Sequence, residues 1–416
     1  MTNLAGEGSS PAPGRAPEAG TGRGEAPAGS LASLGRRWLV TIFAGSAAYA
    51  GLVAVTSGLG VHRSWALFAL GGYMLAAVAA CWPRRGADLA LLMSLAGALL
   101  APLGWLAASG TAQREIYVIA RSAWMLLHHG TPYRSVAALA DATNPDAYNP
   151  YMPAMSLFGI GNQTLHGGPP ADPRIWFTVA FAVVFTLALR IAGAADVPRW
   201  AALVTASPLI AFPLAVGGDD VPVIGLLCLG LALLTGARHP PRAGWAGLAF
   251  GVAAALKATA WPAAGIAAVL LATRDGRRSL GVFAAAAAAA FLVLVAPAVI
   301  IAPAAMVDNT IMFPLGLTEA TSGAASPLPG FLLASTGHTG KLAAAGLLAA
   351  VVVGVAVWLL LRPPASVPGA TWRIIVTLVL LFLLAPSTRV GYFTYPLTLW
   401  AWLGVSRLGA RNAGYG

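Results

Sequence analysis

Charge is the scarcest property of this sequence. Only 9 % of its 416 residues are Asp, Glu, Lys or Arg, where a soluble chain carries about 25 %. That is too little to cover a water-facing surface, which excludes a soluble globular enzyme, a disordered protein and a DNA-binding domain. Lysine is rarer still, with Lys257 and Lys341 the only two among 25 basic residues. The two cysteines, Cys81 and Cys228, both sit in apolar runs, so no disulfide framework or Cys-based metal cluster can form. His128 and His129 lack companions at ligand spacing. Neither a metal site nor a cofactor is expected.

Apolar residues fill the space that charge leaves. They make up 58 % of the chain, with a mean hydropathy of +0.76, the signature of a polytopic membrane protein. The net charge of +11 does not point to nucleic acid, because the basic residues are scattered in ones to threes between apolar runs, where they fix orientation. Residues 1–35 are rich in Pro, Gly, Ala and Ser and read as a disordered cytoplasmic tail. Arg36 and Arg37 precede an apolar segment too long for a cleavable signal peptide. One transmembrane domain is expected over 36–410, followed by a short tail at 411–416.

A helix needs roughly 20 mainly apolar residues to cross a bilayer. Strong candidates run 38–60, 65–82, 87–108, 200–216, 220–236, 279–303 and 340–361; weaker ones run 174–190, 243–257, 258–273, 371–386 and 390–406. Together they suggest an all-α bundle of about 12 transmembrane helices. With the N-terminus in the cytoplasm, fifteen basic residues fall on the inner side and eight on the outer, leaving out the tail. This orientation requires that 151–165 not cross. At about 15 residues, with Pro150, Pro153 and several glycines, it reads as re-entrant or interfacial. The acidic residues sort the other way, and the two long loops, 109–173 and 304–339, are both outer. The working face is expected there, at the plasma membrane, with both termini cytoplasmic.

The first outer loop carries Glu115, Tyr117 and Arg121 on a stretch, 115–129, that can form an amphipathic helix with Ile116, Ile119 and Ala123 on its apolar side. The carboxylate could meet a lipid headgroup, or simply sit at a helix N-terminus favoured by the dipole. Gly130-Thr131-Pro132-Tyr133 ends that helix. Tyr148-Asn149-Pro150-Tyr151-Met152-Pro153 then leads into the re-entrant stretch, its tyrosines candidates for binding or for interfacial anchoring. Asp219 and Asp220 follow Gly217-Gly218 between two spans; capping the next helix, whose first turn holds Pro222, accounts for one carboxylate and leaves the other surplus. Lys257 lies inside an apolar run, 243–273, where a lysine at mid-membrane depth costs roughly 2.5–3.5 kcal/mol. It marks either an outer turn or a buried cation with an anionic partner. Arg389 and Tyr392 lie in the last outer turn, and with Lys257 the guanidinium could hold a phosphate. His338, near Lys341, is a further candidate that equally suits an exposed loop.

The order of these motifs resembles the family-87 branch of the GT-C membrane glycosyltransferases: an outer carboxylate with Tyr two residues on, G-x-P-Y at Gly130 to Tyr133, the Tyr148 to Pro153 segment, the Gly-Gly-Asp-Asp turn, and a Gly-rich span ending at Lys257 with Pro262 behind it. The similarity covers about 110–400. Glu115 stands where that family generally has Asp, and Asp219-Asp220 replaces the usual Gln or Asn after the glycine. The resemblance implies a polyprenyl-phosphate-linked sugar donor, mannose above all, a lipid or glycan acceptor of the cell envelope, and an inverting reaction at the outer face. Glu115 would be the general base, and Tyr117, Arg121, Tyr133, Tyr148, Tyr151, Asp219, Asp220, Lys257, His338, Arg389 and Tyr392 would contact substrate. A transporter or flippase of a lipid-linked substrate, or a scaffold in envelope synthesis, would share the membrane architecture. A transporter should place charge at the midplane, whereas here the ionisable groups gather at one face.

Overall fold

A computed structural model describes residues 35–413 other than 84, 166 and 236–239; the side chains of 240, 241 and 407–413 are also left undescribed. The tail expected over 1–35 lies outside the described residues except for Gly35, as do Arg84, Arg238 and residues 414–416 of the tail expected at 411–416. Among the described residues the structure is all-helical, 79 % helix with no strands.

The main helices are α1 (Gly35–Thr56), α2 (Gly60–Ala80), α3 (Gly86–Ala108), α4 (Arg114–His129), α5 (Pro173–Ile191), α6 (Val197–Ala206), α7 (Pro208–Val216), α8 (Asp220–Leu233), α9 (Pro240–Leu256), α10 (Trp261–Arg274), α11 (Gly276–Ile301), α12 (His338–Leu361), α13 (Val367–Leu384) and α14 (Thr394–Ala413). Every apolar stretch expected as a span is helical. Seven of the helices are long and apolar enough to cross a membrane alone, or eight if α6 and α7 form one span, bent by 60°. Ser207 produces that bend: preceding Pro208, it is forced into extended backbone (φ −64°, ψ 150°).

The shorter helices matter most for function. The 14 residues of α8 and of α10 span only about 21 Å each, short of the roughly 30 Å of hydrocarbon. Asp220 lies at the start of α8 and Lys257 just past the end of α9, and both side chains are largely buried. Gly247 and Gly251 on α9 let it close onto α11: a Cβ on either would fall 2.3–2.4 Å from a backbone oxygen, of Phe283 or Ala287. This is the close approach that small residues four apart allow between membrane helices.

The first long loop begins with α4, the amphipathic helix expected at 115–129. Ile116, Ile119 and Ala123 are buried, and Gly130, in the left-handed region at φ 70°, terminates it. Residues 153–164 form a 3-10 segment, Pro153–Gly159, and a single helical turn, Ile160–Thr164, packed against α4. That is far shorter than a span. The Met152 N–H donates to the Leu256 carbonyl (3.2 Å), tying the loop to the residue before Lys257.

Candidate active site

The two long loops and parts of several helices line a cavity of about 1930 Å3, and five ionisable side chains separated by up to 274 positions meet in it. Lys257 is placed by a break in the chain. Its own backbone is extended (φ −156°, ψ 137°), between the end of α9 and a 3-10 turn leading into Trp261-Pro262. Lys257 thus lies at a turn and is also a buried cation with anionic partners. Its ammonium donates to Asp219 Oδ1 and Oδ2 (3.2 Å each) and to Asp220 Oδ1 (2.5 Å). The rings of Tyr151 and Tyr392 lie 5.4 and 5.3 Å from Nζ, within range of a cation–π attraction.

The carboxylates get there through the two glycines before them. Gly217 has φ 123°, a conformation side chains rarely adopt, and a Cβ on Gly218 would sit 2.4 Å from the Pro213 Cβ. The tight turn that results aims both Asp side chains at Lys257. This corrects the capping explanation: Asp219 is the N-cap of α8 by position, but its side chain makes no capping hydrogen bond. One ammonium thus serves two carboxylates, leaving a formal charge of −1. Burial, together with the repulsion of Asp220 and Glu115, pushes the Asp219 carboxyl up to about 7 against the pull of Lys257.

Glu115, in the first turn of α4, forms an ion pair with Arg389 from the turn between α13 and α14. Burial opposes the charge of Arg389, but Glu115 outweighs it and its pKa is raised, so the guanidinium stays charged. The Arg389 segment is held by the second long loop. The Thr388 N–H donates to the Ala324 carbonyl (2.8 Å), the Ser326 N–H to the Thr388 carbonyl (2.9 Å), and the Val390 N–H to Ser326 Oγ (3.1 Å).

Nine of the twelve residues singled out from the sequence line this cavity: Glu115, Tyr117, Tyr148, Tyr151, Asp219, Asp220, Lys257, Arg389 and Tyr392. The other three do not. Tyr133 is buried behind the wall, its hydroxyl donating to the Tyr151 carbonyl (2.8 Å). Arg121 donates to the carbonyls of Asp146 and Ala147 and fixes that loop. His338 is exposed at the start of α12. Tyr148, at the rim, stacks on Phe313 with ring centroids 4.5 Å apart, and Tyr117 bonds to the backbone of Gly110 and Ala112.

His62, Gln113 and Thr259 also line the cavity and were not anticipated. His62 is a lone histidine at the start of the second span, with no motif around it. Thr259 offers only its place two residues after Lys257; its hydroxyl lies 2.8 Å from that of Tyr395.

The model of glycosyltransferase family 87 matches residues 150–386, more than half of the chain. The chain belongs to glycosyltransferase family 87. It is a membrane glycosyltransferase. The matched residues include Asp219, Asp220 and Lys257 but neither Glu115 nor Arg389, which only the fold brings to the same cavity. No curated protein and no solved structure matches the chain.

Proposed function

We propose that this family-87 enzyme moves a hexose, with mannose the first candidate, from a polyprenyl-phosphate carrier to a lipid or glycan acceptor of the cell envelope, with inversion at the sugar. The observation that carries this reading is the meeting of Glu115 with Arg389, and of Lys257 with Asp219 and Asp220, in one cavity. A polyprenyl phosphate leaves well without a general acid, so one carboxylate suffices. Glu115 takes the proton from the acceptor hydroxyl as that oxygen bonds to the anomeric carbon. The bond from that carbon to the phosphate oxygen breaks, and its electron pair leaves with the carrier.

Arg389 is the first phosphate ligand in this scheme. It is 39 % exposed in the cavity, and its planar fork suits a phosphate as well as a carboxylate. A donor phosphate that draws the guanidinium to itself frees Glu115 for the acceptor. Lys257 adds positive charge at depth as the leaving group becomes more anionic, and Asp219 and Asp220 have oxygen lone pairs to accept from sugar hydroxyls.

The same reading takes the chain as about twelve crossings of the plasma membrane, the twelve apolar helical stretches, with the bilayer thinned locally around the short α8 and α10 and 151–165 re-entrant. Both termini are then cytoplasmic and the cavity opens outside. The bias of basic residues supports this orientation. A single cysteine in place of Arg114, whose side chain is 73 % exposed, tests it: labelling by an impermeant thiol reagent from outside cells is expected, and labelling only from the cytoplasmic side would invert the topology. The chemistry is tested by a screen of radiolabelled polyprenyl-phosphate sugars with the full-length protein in lipid nanodiscs. Transfer from one of them supports the reading; no transfer from any of them rejects it.

A further inference from the structure

Gln113, two residues before Glu115, ties together the two elements that carry the carboxylates. It is the N-cap of α4, and its N–H donates to the carbonyl of Val216 (2.9 Å), the residue before the Gly217–Asp220 turn. Its Cβ lies 3.4 Å from where a Cβ on Gly217 would be. Its own side chain makes no capping bond. Instead the amide reaches across the cavity wall to Nε2 of His62, at the start of α2. The other ring nitrogen, Nδ1, is 3.1 Å from Ser57 Oγ, which also accepts from the Leu59 N–H (3.3 Å). The edge of the imidazole packs on Phe212 of α7, with ring centroids 4.9 Å apart. Both nitrogens are thus engaged, by two different elements, while the ring lines the cavity.

We propose that His62 is a positioning residue for the transfer: through Gln113 it holds the first turn of α4, and with it Glu115, against the turn that presents Asp219 and Asp220. The role rests on the reading of Glu115 as the base. The physical argument is one of precision. Glu115 sits in the first turn of an amphipathic helix and its side chain is bonded to Arg389. In the proposed reaction that partner turns to the donor phosphate, and the contacts of Gln113 are then the ones that tie this helix end directly to the turn carrying Asp219 and Asp220 and to α2. A displacement of about 1 Å in a reacting group can cost up to about a hundredfold in rate, so a second layer of contacts that holds the helix end has a kinetic consequence. In the tautomer with the proton on Nδ1, that nitrogen donates to Ser57 and Nε2 accepts from the Gln113 amide.

The test has one arm that depends on the reaction and one that does not. In nanodiscs, with radiolabelled polyprenyl-phosphate mannose as donor, His62→Ala is expected to lower kcat about tenfold while the donor KM stays within about twofold. Gln113→Ala should do the same, the double variant should be no slower than either single one, and His62→Gln, which keeps a donor and an acceptor, should recover most of the rate. A kcat within about twofold of wild type in His62→Ala, or losses that multiply in the double variant, would overturn the proposal. Amide hydrogen exchange provides the second arm. Exchange over residues 112–117 should rise about tenfold in His62→Ala while residues 247–256 remain as protected as in wild type. Unchanged exchange at 112–117, or a rise spread evenly over both segments, also rejects the clamp. Absence of transfer by the wild-type protein would count against the donor reading alone, and the exchange experiment would still decide for or against His62.

Discussion

Arg174 and Lys257 are both buried cations, and they do opposite jobs. Arg174 is wholly buried. Its Nε and Nη2 donate to the two oxygens of Asp172 (2.9 and 2.6 Å), and Nη1 donates to the Ala215 carbonyl (2.9 Å). One positive charge meets one negative charge, the geometry is bidentate, and the pair pins the start of α5 to the end of α7. Lys257 has two carboxylates for a single ammonium, two aromatic rings beside it, and a cavity in front of it. Burial alone marks neither as functional. A buried charge that is balanced and enclosed is a strut, whereas one left out of balance beside an open volume can respond to a ligand.

The largest effect that can break this contrast is expected at Glu115. Glu115→Gln removes the base, and turnover should fall by about two to four orders of magnitude with the thermal unfolding curve unchanged; retained turnover would take Glu115 out of the catalytic role. Arg174→Met comes next. It leaves Asp172 buried without its partner and should lower stability by about 3–5 kcal/mol, with transfer reduced only in step with the folded fraction. Lys257→Met should lose both stability and transfer. Adding Asp219→Asn to it should return part of the stability and none of the transfer. Were Arg174→Met to abolish transfer in a fully folded protein, the distinction between strut and site would fail.

A smaller effect sharpens the comparison through pH. Burial raises the Asp219 carboxyl from 3.8 to about 7, so the folded protein holds this proton more tightly than the unfolded chain. Its contribution to stability is complete below 3.8 and is lost as pH rises through about 7. The stability of wild type relative to Asp219→Asn should therefore fall across that window, measured by unfolding at a series of pH values. A difference that stays flat or grows with pH would show that Lys257 keeps Asp219 ionised. The smallest effect is expected at His338. It is exposed and does not line the cavity, so His338→Ala should change transfer by less than about twofold.

Much of the fold could be read because membrane helices announce themselves by length and apolarity. The twelve apolar stretches are all helical, and α4 starts and stops within one residue of the expected range, because its apolar stripe and Gly130 are local signals. Lys257 stood out because a cation in an apolar run is costly wherever it lies. Other features were less accessible. The bend between α6 and α7 was not separated from a straight span, although Ser207-Pro208 carries the cause. A capping role suggests itself for one of Asp219 and Asp220 because the sequence offers a helix to cap but not the more attractive ammonium 38 positions from Asp219. Arg121, Tyr133 and His338 are not separable from the site residues by sequence position, because the direction of a loop side chain is set only by the fold. His62 passed unnoticed because a single histidine near a span end carries no pattern.

Composition and apolar run length fixed the solvent of this protein, its helical class and the approximate limits of each helix, since these depend on a residue and its near neighbours. Which charges meet was decided by tertiary structure alone. The pairing of Glu115 with Arg389, the choice of Lys257 over a helix N-terminus by Asp219, and the reach of His62 to Gln113 are contacts between distant parts of the chain, and short-range sequence signals do not encode how separate helices pack.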